Sequence, residues 1–151
     1  MTSFIMFLHI LGALLLVGGM LFFTLIAAPY LRSLEDKRET ARHFQAMGKR
    51  FKTVGLVAWG MLLVTGPINL HLRGFELDSA FWASGYGKAL MIKLILVALV
   101  IASSVIHDFV IGPRSRSNPK LSNVAKIVGR SNLVLTLIVV YLAVTLKFGG
   151  I

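Results

Sequence analysis

The reading of the fold turns on residues 4–28, FIMFLHILGALLLVGGMLFFTLIAA, an apolar run with His9 and Thr24 as its only polar side chains. At about 1.5 Å per helical residue the run covers roughly 37 Å, enough to cross a bilayer with some tilt. An imidazole two turns into such a helix is costly unless it meets a partner or a ligand. The run lacks a basic leader and exceeds the apolar core of a signal peptide, so it is expected to be a retained span. Three more apolar runs follow, so the expected spans are roughly 4–30, 53–71, 89–111 and 127–147. They are continuous rather than alternating, which points to helices and excludes a β-barrel. With 56 % hydrophobic residues and a mean hydropathy of +0.80 the chain reads as an integral membrane protein. The expected fold is all-α, a four-helix transmembrane bundle of up-down-up-down helices forming a single domain over residues 1–151.

Charge orients the helices. Segments 31–52 and 112–130 hold seven and five Lys/Arg, whereas the segment 72–88 holds Arg73 and Lys88. The positive-inside rule places the two basic segments in the cytoplasm and both termini on the outer, periplasmic side of a bacterial-type inner membrane. It also accounts for the net charge of +10 without nucleic acid. The segment 31–52 has no breaker before Gly48 and is expected to continue as helix outside the bilayer. Phe81, Trp82 and Tyr86 in the opposite segment suit an interfacial belt. Pro29 marks the point where the first helix leaves the membrane, and Pro67 is a candidate kink. The absence of cysteine removes disulfides, iron–sulfur clusters and thiolate metal sites.

This threading gives depths to the polar residues. His9, His71 and Lys93 are expected in one layer near the outer surface, with Asn69 and Arg73 close by. His107, Asp108, Arg130 and Asn132 are expected near the cytoplasm. Lys93, Val97, Val100, Ser104 and His107 step by 4, 3, 4, 3 and share one helix face. Thr65 with Asn69, and Asn132 with Thr136, form i, i+4 stripes of the same kind. Gly12, Ala13, Gly18 and Gly19 allow a close neighbour on the first helix.

Two imidazoles at one depth are how a helical bundle holds a b-type haem. His9 and His71 are the expected axial pair, Lys93 and Arg73 the expected propionate partners, and His107 and Met20 weaker candidate ligands. The role would be redox: electron transfer, or oxidation of a porphyrinogen- or quinol-like substrate, with an electron-transfer partner or quinone and a homodimer as possible associates. The alternative is copper, for which imidazole and methionine are suitable ligands. The six methionines are scattered, without a Met-x-x-Met cluster. No Ser-His-Asp set, paired-carboxylate site, phosphate loop or metalloprotease motif is present. Each candidate also has a purely structural alternative: Lys93 can snorkel, His71 can sit at the interface, and Asn132 with Thr136 can bond helices together.

His9-x-x-Gly12, Gly48-Lys49-Arg50-Phe51, Thr65-Gly66 and Tyr86-Gly87-Lys88-x-Leu90-x-x-Lys93 together resemble the CopD-like copper-resistance membrane domain. The same skeleton resembles the HemJ-type protoporphyrinogen oxidases, small four-helix membrane proteins with a helix-1 histidine, a helix-3 lysine and an Arg-x-Asn start to helix 4, here Arg130-Ser131-Asn132. The likeness covers most of the chain, through short motifs. It implies copper uptake in one case and a haem-associated oxidase in the other, with His9, Lys93, Arg130 and Asn132 as candidate functional residues. Leu133 stands where the HemJ-type pattern has an acid, and the CopD-type proteins have further spans.

Overall fold

A computed structural model describes residues 2–114 and 119–149, with only the backbone at Lys37 and Pro119. The described residues are all-α. Four helices are long and apolar enough to cross a membrane: α1 (Thr2–Arg32), α2 (Lys37–His71), α4 (Gly85–Arg114) and α5 (Pro119–Lys147). A short helix α3 (Ser79–Ala83) precedes α4. The all-α, four-helix membrane reading therefore holds. Arg116, counted in the second basic segment, lies outside the described residues.

The breaks between helices are set by local chemistry. Ser33 to Asp36 separate α1 from α2, and the Asp36 carboxylate caps α2 by accepting from the Arg38 amide at 2.7 Å. Asp78 caps α3 through the Phe81 amide at 2.7 Å, and Ser84 caps α4 through the Gly87 amide at 3.0 Å. At Gly87 the α3 backbone passes so close that a side chain would run into the Phe81 carbonyl and the Trp82 Cα. The apolar pattern places the second span at 53, but α2 begins sixteen residues earlier, at Lys37. The helix-permissive charged segment extends it outside the bilayer, as its lack of breakers predicts.

Neither Pro29 nor Pro113 ends its helix. A proline removes one amide donor and its ring crowds the carbonyl four residues back. Each helix relieves this with a wider π-turn just before the proline. In α1 the turn is Phe23–Ala27, where the Ala28 amide donates to the Phe23 carbonyl; in α4 it is His107–Ile111, where the Gly112 amide donates to the His107 carbonyl. Pro67 lies inside α2, which runs on to His71.

The contacts divide the chain into two compact units, residues 1–75 and 76–151. In the first, α1 packs against α2. Gly12 is buried against the α2 backbone, and Leu16, Ala58, Thr65, Ala27 and Leu31 fill the seam. Phe51 covers Gly19, and Phe23 lies between Phe44 and Phe51 with ring centroids 5.9 and 6.3 Å away. In the second, α4 packs against α5, with Val100, Asn132, Leu133, Thr136, Leu142 and Leu146 buried. The outer faces of the spans are open and apolar (Leu14, Leu25, Val64, Leu99 and Tyr141 are each more than half exposed), as a lipid bilayer requires.

Candidate functional site

The histidine of the first span is held by a threonine of the second. His9 Nδ1 lies 2.8 Å from Thr65 Oγ1, and Thr65 is 4 % exposed. The hydroxyl of Thr65 donates its one proton to the Met61 carbonyl one turn back, at 2.6 Å. Thr65 Oγ1 must therefore accept from His9 Nδ1–H. In the neutral ring that fixes the proton on Nδ1 and the lone pair on Nε2. Fixing one ring nitrogen by a hydrogen bond is how proteins orient an imidazole that binds a metal through the other. Gly66 lies beside the ring: a Cβ added there would stand 3.6 Å from His9 Cε1, in ordinary contact. The Thr65-Gly66 dipeptide thus forms the seat of His9. One turn beyond Thr65, the Asn69 Nδ2 is buried without a partner.

The structure does not bring His71 to this seat. His71 is six residues beyond Thr65, which is about 9 Å further along α2 and about 120° round its axis. It is exposed at the end of the helix, and Arg73 is exposed just after it. Depth counted from the sequence puts His9 and His71 in one layer; the rise and the rotation from Thr65 to His71 separate them. Met20 is half-buried on α1, three turns from His9. His43 lies 3.5 Å from Glu39 on the exposed face of α2, a surface pair.

In the second unit Lys93 is half-buried on α4. Further along the same face Ser104 Oγ accepts from Asn132 Nδ2 at 3.2 Å. Asn132 is 5 % exposed, and its Oδ1 has no partner. Thr136 donates back to the Asn132 carbonyl at 2.7 Å, so this stripe bonds the helix pair at one level and its own helix at the next. His107 Nδ1 lies 3.0 Å from Asp108 Oδ1 within the π-turn, a pair between chain neighbours. Arg130 is exposed beside a shallow groove with Ser131, Val134 and Leu135. Among the described residues no three His, Cys, Asp or Glu side chains group to hold a metal ion.

Two substitutions probe these pairs. Thr65→Val keeps the shape and removes the acceptor of the His9 proton; the expected cost is about 1 kcal/mol in the unfolding free energy of the detergent-solubilised protein. Asn132→Leu removes one bond together with a buried unpartnered oxygen, so its expected effect on stability is within about 1 kcal/mol of zero. A loss well beyond that would show that Asn132 Oδ1 has a partner in the membrane.

Residues 45–146 match the family model described as copper resistance protein D, CopD. The chain belongs to the CopD family. The matched region begins within α2 and ends in the last turn of α5, so it includes Thr65, Lys93 and Asn132 and leaves His9 outside. The chain is also 35 % identical over 150 residues to a protein of Aquifex aeolicus (strain VF5) described as uncharacterized; the alignment covers 99 % of this chain and 97 % of the relative. No solved structure matches. The match bears out the copper-resistance half of the resemblance, while the porphyrinogen-oxidase half stands on the short motifs alone. Sequence reasoning reached His9 but missed its partner; Thr65 was visible in a polar stripe on the second span and in the Thr65-Gly66 motif, without its pairing to His9.

Proposed function

We propose that this CopD-family protein carries copper ions within the membrane and takes them on the Nε2 of His9. The observation that supports this reading is the Thr65 hydrogen bond, which turns the one imidazole inside the first apolar span into an oriented lone-pair donor. Imidazole and thioether suit copper, Cu(I) in particular. Met6 precedes His9 by three residues on α1, and Met61 lies four residues before Thr65 on α2, its Cβ against Gly12. One imidazole flanked within a turn by thioethers is a site for an ion in passage rather than for a permanent centre, consistent with copper as cargo. In this reading residues 1–151 act as one transmembrane domain of a bacterial-type cell membrane, and the charge bias supports an outer-side position for both termini and the His9 seat.

The haem reading with His9 and His71 as axial pair requires the second imidazole to face the first across an iron. Within its own unit His9 has Thr65 at that level, with His71 about 9 Å along and on another face of α2. Both the family and the geometry therefore favour copper over haem.

Copper accumulation tests the proposal. Cells producing the wild type are expected to accumulate more copper than cells carrying an empty vector, and cells producing His9→Ala no more than the vector. Wild-type cells at the vector level, with a purified protein that takes up no Cu(I) in anaerobic titration, would overturn it.

A further inference from the structure

The two units are built the same way. In each, the first long helix widens into a five-residue π-turn and carries a proline two residues after it. The turn at Phe23–Ala27 recurs 84 residues later at His107–Ile111. The same interval takes Pro29 to Pro113, and in sequence Arg32-Ser33 to Arg116-Ser117. It also takes Leu16 to Val100, each buried in its own seam at 4 % and 1 % exposure. The second helices agree at an interval of 81. Gly48-Lys49 falls on Gly129-Arg130, the buried Gly55 on the buried Thr136, and the buried Thr65 on the buried Leu146.

The seams agree as well. Phe51 packs on Gly19 in the first unit; its counterpart Asn132 bonds Ser104, the counterpart of Met20 next to Gly19, in the second. Two unrelated helix pairs would have no reason to share a π-turn, a proline and a crossing register.

Under these intervals His9 falls on Lys93 and Thr65 on Leu146. We propose that the two units are copies of one duplicated helix pair, and that Lys93 and Leu146 occupy in the second copy the seat that His9 and Thr65 form in the first. Imidazole and the hydroxyl that orients it have been exchanged together for an ammonium and a leucine. An ammonium has three protons and no lone pair, so it repels a metal cation where an imidazole binds one. Lys93 is then the residue that limits copper to one seat per chain. This last point rests on the copper reading; the equivalence of the seats does not.

Two measurements separate them. The chain contains no cysteine, so introduced thiols respond alone. With a short bis-maleimide in native membranes, His9→Cys/Thr65→Cys and Lys93→Cys/Leu146→Cys are expected to cross-link at comparable rates. Lys93→Cys/Val144→Cys is expected not to, because Val144 is 51 % exposed and about 200° round α5 from Leu146. A failure of the Lys93–Leu146 pair alongside success of the His9–Thr65 pair would overturn the proposal. In anaerobic Cu(I) titration, Lys93→His/Leu146→Thr is expected to raise the stoichiometry from one copper per chain to two, and to restore one copper to a His9→Ala chain. A well-folded Lys93→His/Leu146→Thr protein that binds as the wild type does would overturn the role given to Lys93. Should the wild type bind no copper, the copper reading fails, and the cross-linking result decides the duplication by itself.

Discussion

His9→Ala is expected to abolish copper binding by the purified protein while leaving it folded. The substitution removes the only oriented lone pair in the first span, and nothing else in that unit replaces it: His71 is on another face of α2, and His43 is at the opposite end of the helix in a surface pair with Glu39. Loss of a group that merely supports a metal ligand costs roughly 10–100-fold in affinity, so loss of the ligand itself should exceed that. Thr65→Val, which keeps the ligand and frees its orientation, should fall within that range. Folding is expected to survive because the seam is made by Gly12, Leu16, Ala58 and the Phe23–Phe51 stack rather than by the imidazole. His9→Gln makes the comparison cleaner, since an amide can still hydrogen-bond to Thr65 but lacks the imidazole nitrogen. Anaerobic Cu(I) titration with a colorimetric competitor, beside a thermal melt in detergent, measures both effects. Retained affinity in His9→Gln would remove His9 from the site.

A large effect on stability is expected at Gly12, in the α1–α2 seam. A Cβ there would stand 3.2 Å from the Ala58 carbonyl oxygen, from Leu62 Cγ and from Met61 Cβ. Leu62 Cγ can shift by a rotamer change, but the carbonyl belongs to the α2 backbone and Met61 Cβ is fixed to it. Gly12→Leu must therefore push α1 and α2 apart along their length. Overpacking a well-filled seam costs about 1–3 kcal/mol, and here the separation also pulls His9 from Thr65 one turn away. The expected result is a lowered melting midpoint together with weakened copper binding. Gly18→Leu is the control: a Cβ at Gly18 meets nothing within 4 Å, so it should leave both measurements unchanged. Equal melting midpoints for the two variants would contradict the packing described for the α1–α2 pair.

The spans were legible because twenty-residue apolar runs have few other readings. Their ends were less so. Hydropathy marks the bilayer rather than the helix, and α2 runs on through Lys49, Arg50 and Lys52 as an exposed charged helix capped at Asp36. The site was legible in its histidine but not in its partner. Counting residues from a membrane face puts His9 and His71 in one layer; the six residues from Thr65 to His71 set His71 about 9 Å further along and on another face, so Thr65 meets His9 and His71 does not. The stripe of Ser104 and the stripe of Asn132 were each visible, and their pairing across the seam followed from the same rule. The π-turns were invisible, because widening a helix by one residue leaves the apolar pattern intact and the prolines suggested only an end.

Those turns have a bearing on how such a chain can change over generations. A π-turn is one residue more than an α-helix needs, inserted where the proline obliges it. Loss of a single residue from 23–27 together with Pro29 would return α1 to an unbroken α-helix. The stretch from Thr2 to Phe22, and the pairing of His9 with Thr65, would keep their alignment. The last turn would keep its alignment as well, because the wider turn is what holds the surplus residue. The same deletion placed between His9 and Gly19 would turn the histidine away from its threonine. Natural variation in length within this helix should therefore collect at the turn and track the presence of the proline.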